Sequence, residues 1–204
     1  SVDCAAGGKV THTKVSKDLN DPGKVKEFLD WTVLGDMTVD GSGLVDVTGK
    51  GLTSHKGAWF DNRSTHGGRC DNQSKDCYGS VFHPFAYGSG GNDSRDCRGG
   101  GVVKLRVAGT LTVNGSILAD GVSGGWYWSA AGGSIDVSCG TLAGAGIIRA
   151  EGGYMTNTSY PCGGGGRIAV RQTVGIDFTS SWSGTVSAYG TLAPSRDAGT
   201  PQAG

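Results

Sequence analysis

One pattern recurs along the chain and restricts its fold more than any other feature. A short apolar alternation is followed by a turn, a second short alternation and a glycine. Trp31-Thr32-Val33-Leu34-Gly35-Asp36-Met37-Thr38-Val39-Asp40-Gly41-Ser42 sets the pattern, and Leu105-Arg106-Val107-Ala108-Gly109-Thr110-Leu111-Thr112-Val113-Asn114-Gly115-Ser116 repeats it. Ile135-Asp136-Val137-Ser138-Cys139-Gly140-Thr141-Leu142-Ala143-Gly144 and Ile168-Ala169-Val170-Arg171 follow. Apolar residues at every second position read as strands with one buried face. Glycine clusters precede the last three: Gly99 to Gly101, Gly132-Gly133 and Gly163 to Gly166. Each of these three is then followed by a second short strand, at Ile117-Leu118-Ala119, Ile147-Ile148-Arg149-Ala150 and Thr185-Val186-Ser187-Ala188.

The unit is about 30 residues long: Val107 to Val137 is 30 residues and Val137 to Val170 is 33. Self-similarity at such a period predicts stacked coils, because one coil cannot bury its apolar side alone. The expected fold is all-β, a right-handed parallel β-helix or β-solenoid. A β-sandwich also offers short alternating strands and stays open as the alternative. Glycines at a fixed phase of the repeat favour the solenoid, where they are expected to take positive φ at the corners between faces and to let neighbouring backbones approach closely.

Composition excludes several classes. Glycine supplies 39 of 204 residues, against roughly 7 % in average proteins. The glycines do not fall at every third position, and only 5 prolines occur, so the chain is not collagen-like. A largely helical chain would lose about 1 kcal/mol at each interior glycine. Lysine plus arginine and aspartate plus glutamate each number 18. Without a basic field, a nucleic-acid partner is not expected. No apolar run approaches the ~20 residues needed to span a bilayer.

The expected organisation is one solenoid domain over residues 1–190. Its first coil is 31–53, a cysteine-rich insertion fills 54–98, and three glycine-rich coils occupy 99–190. Residues 191–204 read as an extended tail or linker. Asp21-Pro22 could open a short helix, and Phe28, Leu29 and Trp31 could plug one end of the stack. The start Ser1-Val2-Asp3-Cys4 reads as a mature or trimmed product, or a segment of a longer protein.

Cys4, Cys70, Cys77, Cys97, Cys139 and Cys162 form no C-x-x-C and no zinc-like spacing with histidine. An even count without metal spacing predicts disulfides and an oxidising compartment. Cys70, Cys77 and Cys97 are expected to staple the insertion, with buried free thiols as the alternative. Asn62, Asn72, Asn92, Asn114 and Asn157 head Asn-x-Ser/Thr triplets, which points to a secreted N-glycoprotein. Asn114 in Val113-Asn114-Gly115 could instead be only a tight turn.

Taken together, Cys77-Tyr78-Gly79-Ser80, Tyr87-Gly88-Ser89-Gly90-Gly91, Gly140-Thr141-Leu142-Ala143-Gly144-Ala145-Gly146 and Gly163-Gly164-Gly165-Gly166-Arg167-Ile168-Ala169-Val170 resemble the glycine-rich repeats of large extracellular proteins. The resemblance covers about residues 77–190. It implies a parallel β-helix and a surface or secreted structural role without assigned catalysis.

Catalytic signals are weak. His12, His55, His66 and His83 lie outside any H-E-x-x-H pattern and read as solvated loop residues. Aligning Val107, Val137 and Val170 places Arg106, Asp136 and Ala169 side by side on the outer face, with Lys104, Ser134 and Arg167 on the preceding rung. A lyase would need a base and a cation there, but an ordinary Arg106–Asp136 pair is the simpler reading. No catalytic, metal or cofactor site is expected. Trp126, Tyr127 and Trp128 are the sharper feature: three adjacent aromatics in a turn suggest an assembly or sugar contact. The expected function is a structural subunit or module of an extracellular fibre, appendage or matrix. Its partner would be another copy or other extracellular proteins, with glycans as a further candidate. A carbohydrate-binding or polysaccharide-cleaving β-helix and an adhesin module are the alternatives.

Overall fold

Alternating apolar residues give each repeat two short strands that point one side chain in two toward a shared interior, and the coils stack through parallel pairing. The computed structural model describes residues 1–15, 27–53, 65–68, 77–91, 96–124, 128–155, 163–175, 177 and 180–191. In chain order the strands are β1 Val2–Cys4, β2 Lys9–Val10, β3 Leu29–Val33, β4 Met37–Val39 and β5 Leu44–Asp46. They continue as β6 Val102–Val113, β7 Ser116–Leu118, β8 Ser134–Ala143, β9 Ile147–Arg149, β10 Arg167–Gln172 and β11 Thr185–Ser187.

One sheet runs β1-β4-β6-β8-β10, with β3 also on β6; the other runs β11-β9-β7-β5-β2. Every strand pairing among the described residues is parallel. The result is an all-β solenoid of about four turns. A sandwich is excluded, because its sheets pair antiparallel. No helix occurs among the described residues; the expected helix start at Asp21-Pro22 lies outside them.

Inward side chains form continuous ladders. Leu29–Val103–Ile135–Ile168, Trp31–Leu105–Val137–Val170 and Val33–Val107–Cys139–Gln172 run through the first sheet. Val10–Val45–Ile117–Ile148–Val186 runs through the second. Each fully buried valine or isoleucine contributes about 1.5–3 kcal/mol. The sequence alignment of Val107 with Val137 is corrected here: Val107 pairs Cys139, and Leu105 pairs Val137. The slip is two residues, which keeps the same face inward and is invisible to a period of two. A register shift between Val107 and Thr110 then takes back one of the two residues, so that Thr110 pairs Thr141.

The glycine clusters have a sharper role than corners. Among the described glycines only Gly7, Gly49, Gly79, Gly144 and Gly175 have positive φ, and none of these belongs to a cluster. Close approach is what the clusters supply. Residues 98–101 exchange backbone hydrogen bonds with 47–52, with Gly88, with Val122 and with 131–134. A strand in a sheet has two neighbours; this segment has four. A Cβ on Gly99 would stand 1.9 Å from the Gly88 carbonyl oxygen, and one on Gly100 would stand 1.9 Å from that of Ala119. No side chain fits there.

Candidate functional site

The described part of the insertion lies across the coils as a strap. Residues 77–82 sit on the last coil: Arg167 Nε donates to the Tyr78 carbonyl at 2.9 Å, and an Arg171 guanidinium N–H donates to that of Phe82 at 2.7 Å. Residues 85–87 reach the earlier coils. The Phe85 ring meets Phe28 edge-on at 4.7 Å between centroids and lies under the Lys104 ammonium at 5.6 Å. Ser134 Oγ donates to the Ala86 carbonyl at 2.6 Å, and the Tyr87 hydroxyl donates to that of Glu27 at 3.2 Å. The strap then enters the glycine layer at Gly88.

Beneath the strap is a buried polar cluster, which overturns one expectation. His66 is not a solvated loop residue but is 0 % exposed. Its Nδ1 lies 2.8 Å from the Gly132 carbonyl oxygen, so Nδ1 carries the ring proton and donates. Nε2 is buried without a hydrogen-bond partner among the described residues. The ring lies 4.9 Å from that of Tyr78, tilted by 35°. A Cβ on Gly79 would stand 3.2 Å from His66 Nε2 and 3.5 Å from Arg167 Nε, so the strap turns here at a bare backbone with positive φ. Burial pulls the imidazole down to about 4, with the Arg167 charge acting in the same direction. Tyr78 donates to the Tyr87 carbonyl at 2.6 Å and lies 2.9 Å from Ser89 Oγ, which donates to the Thr65 carbonyl at 2.6 Å. Burial raises the Tyr78 phenol well above its ordinary range.

The outer charges are ion pairs, but not between the residues first expected. Arg106 pairs with Asp30 at 2.5 Å, and Asp136 pairs with Arg171. The outer ladders are Asp30–Lys104–Asp136–Ala169 and Thr32–Arg106–Ser138–Arg171. The expected rung of Arg106, Asp136 and Ala169, and that of Lys104, Ser134 and Arg167, fail at β6 through the same two-residue slip. Sequence reasoning missed the Asp120–Arg149 pair on the second sheet. Asp120 accepts from Arg149 Nε at 2.9 Å and from the Glu151 amide at 2.8 Å. Burial still raises its carboxyl, against the pull of Arg149. Among the described residues no three His, Cys, Asp or Glu side chains gather as metal ligands.

Cys4, Cys77 and Cys139 are free thiols, so the expectation that every cysteine is bridged is not met at these positions. Cys4 and Cys139 belong to the core, where cysteine behaves as a small hydrophobe. Burial pushes the Cys139 thiol up to about 11. Cys97 is buried, its Sγ donating toward the Val122 carbonyl at 3.4 Å. Cys70 and Cys162 lie outside the described residues, as do Asn62, Asn72, Asn92, Asn157, Trp126 and Tyr127. Asn114 is exposed at the turn between β6 and β7, its amide donating to the Val39 carbonyl at 2.8 Å. Trp128 is half-buried.

The two ends of the stack differ. At the N-terminal end the inward residues Cys4, Leu29 and Val33 are buried. Both ends carry edge strands among the described residues, β1 and β2 at one and β10 and β11 at the other. At the C-terminal end Ile168 and Val170 are partly exposed. Val186 is 47 % exposed, whereas Val45, Ile117 and Ile148 in its own ladder are 0 % exposed. Tyr189 and Val174 add exposed apolar surface near this end. Among the described residues no helix is long and apolar enough to cross a membrane. Comparison with protein-family models, curated proteins and solved structures finds no match.

Proposed function

We propose that this protein is a structural module of an extracellular fibre, appendage or matrix, and that it associates with a further copy through the C-terminal end of its solenoid. The open end of the core carries the reading. The ladder Val10–Val45–Ile117–Ile148–Val186 is dry along its interior and exposed at its last member. An unpaired strand edge beside exposed apolar residues favours pairing with another chain. Equal numbers of basic and acidic residues leave little long-range repulsion between copies.

The extracellular placement rests on the glycosylation triplets, with Asn114 exposed on a turn. The free thiols of Cys4, Cys77 and Cys139 add nothing to it. Sedimentation velocity tests the contact. The parent should sediment as species heavier than its 20.7 kDa monomer, increasingly so with concentration. Val186→Lys should be monomeric with unchanged far-UV circular dichroism. A parent that stays monomeric at every concentration, or a variant that associates like the parent, overturns the proposed contact.

A further inference from the structure

We propose that His66 is an acid-sensitive latch: it holds the strap 77–91 onto the solenoid while neutral, and its protonation releases the strap from the coils without unfolding them. The geometry at the ring carries this. Nδ1–H is already committed to the Gly132 carbonyl, so a second proton can only enter at Nε2. Nε2 is buried and has no hydrogen-bond partner among the described residues. An imidazolium there would hold a buried donor unsatisfied, beside a cation.

Among the described residues only backbone carbonyls favour a charged ring, and burial together with the Arg167 charge outweighs them. The segment before β8 presents the carbonyls of Gly132 and Gly133. β10 presents Arg167, a positive charge. The strap presents the Tyr78 ring and the bare Gly79 backbone, with Cys77 adjacent. Among the described residues no carboxylate is placed against the ring to compensate a charge. A buried unpaired cation is expelled rather than tolerated.

Expulsion of His66 loosens the strap first. The Tyr78 amide donates to the His66 carbonyl at 3.0 Å, and the Gly67 and Gly68 amides donate to that of Gly165 at 2.9 and 3.1 Å. Ser89 bonds the residue beside His66. These contacts depend on the ring staying in place. The inward ladders of β6 and β8 do not include His66, so they remain.

The sign follows from the two protonation states. In the closed state the imidazole titrates at about 4; released into water it titrates near its ordinary 6.5. Closure is therefore fully favoured above pH 6.5 and is lost progressively as pH falls toward 4. The difference corresponds to roughly 300-fold weaker closure at the acid end.

Hydrogen exchange of the whole protein, corrected for the intrinsic pH dependence, tests the latch. Between pH 6.5 and about 4, the Gly67, Gly68, Tyr78 and Gly88 amides should lose protection at least tenfold. Amides of β6 and β8 should keep theirs. His66→Asn places a non-titrating N–H near Nδ1, and its strap protection should be flat across the range. Equal acid loss in His66→Asn overturns the latch, as does unchanged strap protection in the parent. Loss in the coils at the same pH also overturns it, because the event is then global unfolding. Should the variant not fold, ring-proton resonances of the parent decide. A His66 that titrates near 6.5 while the strap amides stay protected is incompatible with the latch.

Discussion

At the scale of single residues, glycine is used here for what it lacks. Gly100 sits where backbone meets backbone, and a Cβ would stand 1.9 Å from the Ala119 oxygen and 2.3 Å from the Gly133 nitrogen. Neither neighbour is a flexible side-chain tip, so Gly100→Ala must shift main chain. It should destabilise by about 3 kcal/mol or more. Gly41 is the control: nothing lies within 4 Å of a Cβ there, and its φ is not positive. Gly41→Ala should be neutral or stabilise by up to ~1 kcal/mol through the unfolded chain. Urea unfolding of the two variants checks both; comparable losses at both sites would remove close approach as the reason for the clusters. His66 shows the limit of reading residues in isolation. Its burial is made by Gly132, 66 positions away, and by Arg167 beyond it. No local pattern around His66 encodes that contact.

At the scale of elements, the strands of the three glycine-rich coils were legible because period-two alternation recurs with glycine at a fixed phase. β1 and β2 were not, since neither lies within the repeating strand–turn–strand–glycine pattern that marks the other short strands. Register was legible only to the nearest face: Val137 does pair Val170, but Val107 pairs Cys139. The strap was legible as an excursion, not as a cover. Its aromatic contacts join chain segments about 57 residues apart, Phe28 to Phe85. Phe85 is 42 % exposed, so its packing contribution is partial. Phe85→Ala should lower global stability by no more than about 1 kcal/mol. It should raise proteolytic cleavage within 80–87 several-fold, a result visible by mass spectrometry of timed digests. Cleavage at the parental rate would mean that Phe85 does not pin the strap.

At the scale of the whole molecule, both ends of the stack carry edge strands among the described residues, and the inward residues are better buried at the N-terminal end than at the C-terminal one. Stacked coils gain stability from neighbours on both sides. The last coil has a neighbour on one side only, and its strands β10 and β11 keep a free edge among the described residues. An end of that kind is either covered or becomes a template for another chain. If the open end of one copy meets a different surface of the next, the contact repeats and builds a filament; if two open ends meet, it closes as a dimer. Electron micrographs of negatively stained native material separate these outcomes and test the proposed structural role most directly. Linear assemblies whose repeat is one solenoid length are expected. A field of single particles of monomer size, at concentrations where the protein is folded, would contradict it.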